Sequence, residues 1–196
     1  FIDGKNAIAV GDSGLFATTS DSGAIWNPVI LDSSANYNDI KIFNDGRSYI
    51  VGNNASFLYS DDFFNQWQKI DIKRKNSLFK VYFIDDKTGF AAGSNGFLIR
   101  TTDSGESWEI LDTKTENILY DISFPNEQKG FVVGWEGTLL KTEDTGKTWE
   151  HVDLDTDKYL KSIDFYNEND GIIVGGGGVI FKTEDGGASW EKIELD

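Results

Sequence analysis

Five aspartates, Asp21, Asp62, Asp103, Asp144 and Asp185, recur every 41 residues, each two positions after a Ser or Thr and five before a tryptophan. The hydroxyls are Thr19, Ser60, Thr101, Thr142 and Thr183, and the indoles are Trp26, Trp67, Trp108, Trp149 and Trp190. Two carboxylates on opposite sides of a sugar can cleave a glycosidic bond, and clustered aspartates can hold calcium. With 33 acids in the chain, carboxylate pairs arise without selection for catalysis, so their abundance points to no reaction. Asp144 through Trp149 also lacks the alternating acids of an EF-hand loop. The sole histidine, His151, stands beside Glu150 with no serine or cysteine constellation around it, which leaves a nucleophilic triad unsupported. The absence of cysteine removes thiolate nucleophiles, disulfides and thiolate metal sites. No catalytic residue, metal site or cofactor follows from these residues.

Regular spacing calls for a structural explanation first. Three residues before each tryptophan stands Gly23, Gly105, Gly146 or Gly187, with Phe64 as the exception. A turn explains the set: the Asp carboxylate caps backbone N–H groups, the Gly takes a positive φ, and the indole pins the turn by burial. Phe64 reads as a degenerate turn rather than a binding aromatic. A second glycine column, Gly11, Gly52, Gly93, Gly134 and Gly175, lies fifteen residues before each tryptophan and marks a hairpin between short apolar runs such as Gly130–Val133 and Thr138–Leu140. Asp121-Ile122-Ser123-Phe124 alternates with period two, and a last strand starts at each tryptophan.

Four short strands per 41 residues predict an all-β chain, a β-propeller of five four-stranded blades with the Asp turn between third and fourth strands. Unbroken repetition predicts a single domain over 1–196, with blade repeats at approximately 1–31, 32–72, 73–113, 114–154 and 155–196. Phe1 aligns with Phe83 and Phe124, so the first blade is expected to start midway through its innermost strand, and the five units are read either as a ring or as part of a larger propeller.

The net charge of -15 opposes binding to nucleic acid and to anionic membranes. No apolar run approaches the roughly 18 residues of a membrane span. The single basic run, Lys73-Arg74-Lys75, is a solvated loop or a local docking patch.

The pattern Ser/Thr-x-Asp-x-Gly-x-x-Trp resembles the Asp box of bacterial neuraminidase repeats and covers essentially the whole chain. The Val-Gly-x-x-Gly hairpin ahead of it, as in Val133-Gly134 through Trp149, looks most like the photosystem II assembly/stability factor family. The resemblance implies a propeller whose boxes are structural turns away from the functional site. It also implies a protein-binding, assembly-type activity outside the cytoplasm, since such repeats are common in bacterial surface proteins. Partner binding in that family is associated with a basic patch, which here is confined to Lys73–Lys75. Sialidases share the box, but the chain has only Arg47, Arg74 and Arg100 and no Arg-Ile-Pro, so an arginine-triad sialidase is excluded.

Function is then sought in the loops that do not repeat. The hairpin tips are Asp12-Ser13, Asn53-Asn54, Ser94-Asn95, Trp135-Glu136 and Gly176-Gly177. Trp135 is the one tryptophan outside the periodic set, and a large aromatic at a turn tip suits either ligand or partner contact or packing on a neighbouring loop. Inter-blade loops on the same face add Tyr37, Lys73, Arg74, Glu116, Tyr120, Asp157 and Tyr159. Polar residues of the innermost strands, Asp39, Lys41, Lys80, Asp121 and Asp164 among them, are expected to line the axis and to pair with one another. The expected activity is a non-enzymatic, exported protein-binding scaffold. The alternative is a carbohydrate-binding or glycoside-hydrolase propeller taking a glycan.

Overall fold

The computed structural model describes residues 2–194. The chain forms two compact units, the first ending at Val81 and the second beginning at Tyr82. The first unit holds a sheet of β1 (Ala7–Val10), β2 (Leu15–Thr19) and β3 (Asn27–Ile30), then one of β4 (Tyr37–Ile42), β5 (Ser48–Gly52), β6 (Phe57–Ser60) and β7 (Gln68–Lys69). The boundary falls within β8 (Leu78–Phe83), whose sheet continues with β9 (Gly89–Gly93), β10 (Leu98–Thr101) and β11 (Glu109–Ile110). Two further sheets follow: β12 (Leu119–Ser123), β13 (Gly130–Gly134), β14 (Leu139–Thr142) and β15 (Glu150–His151), then β16 (Leu160–Phe165), β17 (Gly171–Gly175), β18 (Ile180–Thr183) and β19 (Glu191–Lys192).

Each sheet is a meander made from one contiguous stretch, and equivalent strands start 41 residues apart, as at Tyr37, Leu78, Leu119 and Leu160. These are propeller blades. The first sheet has three strands where four are expected, because β1 is the counterpart of β5, β9, β13 and β17. Phe1, on which the expected inner strand of that blade rests, lies outside the described residues.

Strands β5, β9 and β13 are buried along their whole length, which is why they read as continuous apolar runs. In the second unit the tryptophan of one blade reaches the preceding blade. Trp149 meets Phe90 edge-on, with centroids 6.1 Å apart at 88°, and Trp190 meets Phe131 at 5.8 Å and 87°. Gly146 and Gly187, at φ of 70° and 76°, lie so close to those rings that a Cβ at either would overlap Phe90 or Phe131. The box glycine thus provides both the left-handed turn and the clearance for the next ring.

Phe64 adopts the same left-handed conformation, φ 74°, and its amide still donates to Ser60 Oγ at 3.2 Å. Its ring packs beside Trp67 and Phe16, with centroids 6.3 and 5.9 Å away. The degenerate turn is kept at the cost of backbone strain and offset by aromatic packing in the first unit's core of Phe16, Ala35, Tyr37 and Ile50.

Candidate functional site on the fourth and fifth blades

The Asp boxes are self-satisfied. Asp103 Oδ1 accepts the Ser107 amide at 2.9 Å and the Thr101 hydroxyl at 2.7 Å, while Thr101 Oγ1 accepts the Gly105 amide at 2.9 Å. Asp144 and Asp185 repeat the pattern with Thr148 and Ser189. Desolvation opposes ionisation of Asp144, yet the Thr148 amide and hydroxyl and the Thr142 hydroxyl outweigh it and hold the pKa at about 2. The Ser189 hydroxyl and amide, with the Thr183 hydroxyl, depress Asp185 as well. These carboxylates are committed to backbone N–H groups, so their role is the turn rather than acid–base chemistry.

Inner-strand acids are also occupied. Asp39 Oδ2 accepts the Val81 amide at 3.0 Å and stands 3.8 Å from Lys80 Nζ. Asp121 Oδ2 accepts the Ser162 hydroxyl at 2.6 Å and the Ile163 amide at 3.1 Å. Each clips its strand to the next inner strand.

The residues that do not repeat come together on the second unit. Trp135 sits at the β13–β14 hairpin tip, where its amide donates to Ile118 O at 2.8 Å. Its own carbonyl accepts the Thr138 hydroxyl at 2.6 Å and the Asn117 side-chain amide at 3.3 Å. The tip is therefore held rigidly before any ligand arrives. Tyr159, at the entry to β16, lays its ring parallel to the Trp135 indole, 3° between planes and 5.6 Å between centroids. Gly176, the residue equivalent to Trp135 one blade on, donates its amide to Tyr159 O and lies so close to the phenol that a Cβ there would overlap it. A glycine at that tip is what lets the tyrosine lie flat.

Tyr120 reaches this patch through a β-bulge. In the β12–β13 register Leu119 pairs with Gly134 and Asp121 with Val133, so Tyr120 is the extra residue. Lys161 is the extra residue between Leu160 and Ser162 one blade on. Bulges re-aim side chains out of the pleat, and here the Lys161 ammonium stands 4.1 Å from the Tyr120 ring centroid. Tyr120 in turn meets Tyr159 edge-on at 6.4 Å and 66°. Burial, and secondarily the neighbouring Tyr159, raises the Tyr120 phenol above its usual pKa. The order along the patch is Lys161, Tyr120, Tyr159, Trp135.

Beside the stack opens a groove of about 1100 Å³ bordered by Trp135, Tyr159, Glu136, Asp153, Asp155 and Asp157, with Lys158, Lys192 and Glu194 also on its walls. Trp135 and Tyr159 are 43% and 40% exposed there. Lys158 pairs with Asp157 at 3.0 Å and Lys192 with Glu194 at 3.1 Å. Glu136, Asp153 and Asp155 make no ion pair among the described residues, and the groove carries a net negative charge.

The other predicted positions lie elsewhere. Tyr37 is 4% exposed, inside the first unit's core, so it does not present its ring to a partner. Lys73 and Arg74 are exposed in the first unit, with Lys73 Nζ bound to Asp71 at 2.7 Å. Arg74 borders a smaller concavity of about 390 Å³ with Asn54, Lys69 and Lys75. His151 is exposed on β15. No group of three metal-capable side chains comes together among the described residues. Sequence reasoning missed Lys161, Asp153, Asp155 and Lys158. The 41-residue alignment of Lys161 with Tyr120 was the available signal for the first.

Among solved structures the chain resembles YCF48 bound to D1 peptide, at 19% identity and a TM-score of 0.52 over 98% of this chain and 80% of that one. It resembles YCF48 from Cyanidioschyzon merolae at 15% identity and a TM-score of 0.64, over 97% and 81% of the two chains. The GH74 enzyme of Niastella koreensis aligns at 14% identity and a TM-score of 0.79, over 96% of this chain and 36% of the enzyme. These likenesses establish the β-propeller fold. No curated protein sequence matches the chain. The family model for the photosynthesis system II assembly factor YCF48 matches residues 30–102 and again 102–196, and the chain belongs to that family.

Proposed function

We propose that the chain is a non-enzymatic scaffold that binds a protein partner outside the cytoplasm, with the Trp135–Tyr159–Tyr120 patch as its main contact. The observation that carries this reading is the patch itself: three non-repeating aromatics from two blades, with Trp135 on a hydrogen-bonded tip, Trp135 and Tyr159 exposed beside a groove, and Tyr120 half-buried against Tyr159. Rigid, exposed aromatics are the residues that dominate protein interfaces. Membership of an assembly-factor family, and the D1 peptide bound to a YCF48 relative, support a polypeptide partner. The box carboxylates are spent on turns, which removes the most regular acids from consideration as catalysts.

The test begins with a partner identified by capture from the source cell and prepared pure. Trp135→Ala and Tyr159→Ala should each weaken its binding at least about tenfold, as expected of central aromatic contacts. Equal binding by the wild type and both variants would refute the assignment. Cell fractionation tests the location: recovery in the cytoplasm alone would refute an extracytoplasmic scaffold.

A second reading has one observation in its favour: an exposed aromatic stack beside carboxylates also suits a sugar ring, and the fold is shared with a GH74 enzyme. Turnover of plant or bacterial polysaccharides in a reducing-sugar assay would replace the scaffold reading with this one.

A further inference from the structure

We infer that the groove beside Trp135 takes a cationic polypeptide segment, with an arginine or lysine side chain laid on the open face of the indole. This inference rests on the scaffold reading above and specifies the chemistry of its partner.

Tyr159 stacks in parallel on one face of the indole, with centroids 5.6 Å apart, and Trp135 keeps 43% exposure at the border of the groove. An open indole face is the best aromatic acceptor for a cation. The same patch already seats one cation of its own, the Lys161 ammonium 4.1 Å above the Tyr120 ring. The walls supply the complementary charge. Glu136, Asp153 and Asp155 have no cationic partner among the described residues, whereas both lysines of the groove are matched to Asp157 and Glu194. A cationic side chain entering here gains the ring and the unmatched carboxylates together. An acidic segment would meet like charge, which disfavours it. An extended peptide fits the open shape and volume of the groove better than a compact ion.

Much of the outer surface carries negative charge, so the experiment must separate this groove from diffuse attraction to a chain of net charge -15. The probe is an alternating glycine–arginine hexapeptide titrated by calorimetry, beside its glycine–glutamine and glycine–glutamate counterparts. Trp135→Ala removes the ring without altering charge. It should weaken the arginine peptide by about 3- to 30-fold, the range expected of one cation–π contact. Trp135→Phe should restore part of the affinity. Asp153→Asn with Asp155→Asn should weaken it further at low salt and much less at high salt.

The inference would be overturned by no binding of the arginine peptide, by binding unaltered by Trp135→Ala, or by equally tight binding of the glutamine peptide. Binding of a glucan oligosaccharide in the groove, in place of the arginine peptide, would also overturn it. A purified partner that needs Trp135 but presents no basic residue there would leave the scaffold reading standing and remove only the cationic specificity.

Discussion

The planes of Trp135 and Tyr159 lie within 3° of each other although the two residues belong to different blades, and Gly176 is the floor beneath the tyrosine. A methyl group at 176 must displace the phenol. Gly176→Ala is therefore expected to destabilise by about 1–3 kcal/mol through overpacking. In a Tyr159→Ala background the same change should cost clearly less, because the clashing ring is gone. Denaturant unfolding of the two single variants and the double variant measures the coupling. Strict additivity would mean that Gly176 does not position Tyr159.

Identical letters in the repeat carry unequal energies. Trp149 is 2% exposed against Phe90 and Phe124, whereas Trp26, the same box position in the first blade, is 41% exposed. Trp149→Ala should cost about 3–5 kcal/mol, the range for deleting a buried aromatic. Trp26→Ala should cost clearly less than Trp149→Ala, since a large part of the Trp26 side chain stays in water. Chemical denaturation of both variants decides; similar losses would show that the box tryptophan acts mainly within its own turn.

These contrasts mark what the sequence could and could not disclose. The 41-residue spacing of Asp103, Gly105 and Trp108 points to a repeated turn, and the blades follow because a short glycine-bounded apolar run such as Gly130–Val133 reads as a strand buried on both faces. Position along the repeat was legible, and at Tyr37 it carried depth as well: Tyr37 shares a column with Leu78, Leu119 and Leu160, all buried, and it joins the core beside Phe16 and Ile50. Tyr159 stands one position earlier in the repeat, and its place over Gly176 emerges only from the fold. The bulges at Tyr120 and Lys161 leave no mark on residue type, because an extra residue in one strand is visible only once its partner's register is known. The acids of the groove, Asp153 and Asp155, are hidden among 33 carboxylates until the fold selects them.

Acid should loosen the boxes in a defined window. Asp144 has a folded pKa of about 2 against an ordinary 3.8, so the unfolded chain binds the proton more readily. Its contribution to stability is present above the ordinary value and is lost as pH falls through the folded one. Between about pH 5 and pH 2 the wild type should lose stability that Asp144→Asn, having no carboxylate at this position, does not lose there. Urea unfolding across that range measures it. A parallel decline in the two proteins would place the acid sensitivity elsewhere.

Asp121 offers the sharpest test of whether inner-strand acids are structural. Its Oδ2 is the acceptor for both the Ser162 hydroxyl and the Ile163 amide, and Ile163 is buried. Asp121→Ala would orphan that buried amide, at an expected cost of about 1–3 kcal/mol. Asp164, an exposed acid on the neighbouring β16, provides the control, and Asp164→Ala should shift stability by less than about 0.5 kcal/mol. Asp121→Asn preserves an oxygen that can accept from Ile163, so it should fall between the two. Hydrogen exchange at the Ile163 amide gives the local readout: faster exchange in Asp121→Ala than in Asp164→Ala identifies the carboxylate as the clip between β12 and β16, and equal exchange in the two variants would remove it from that role.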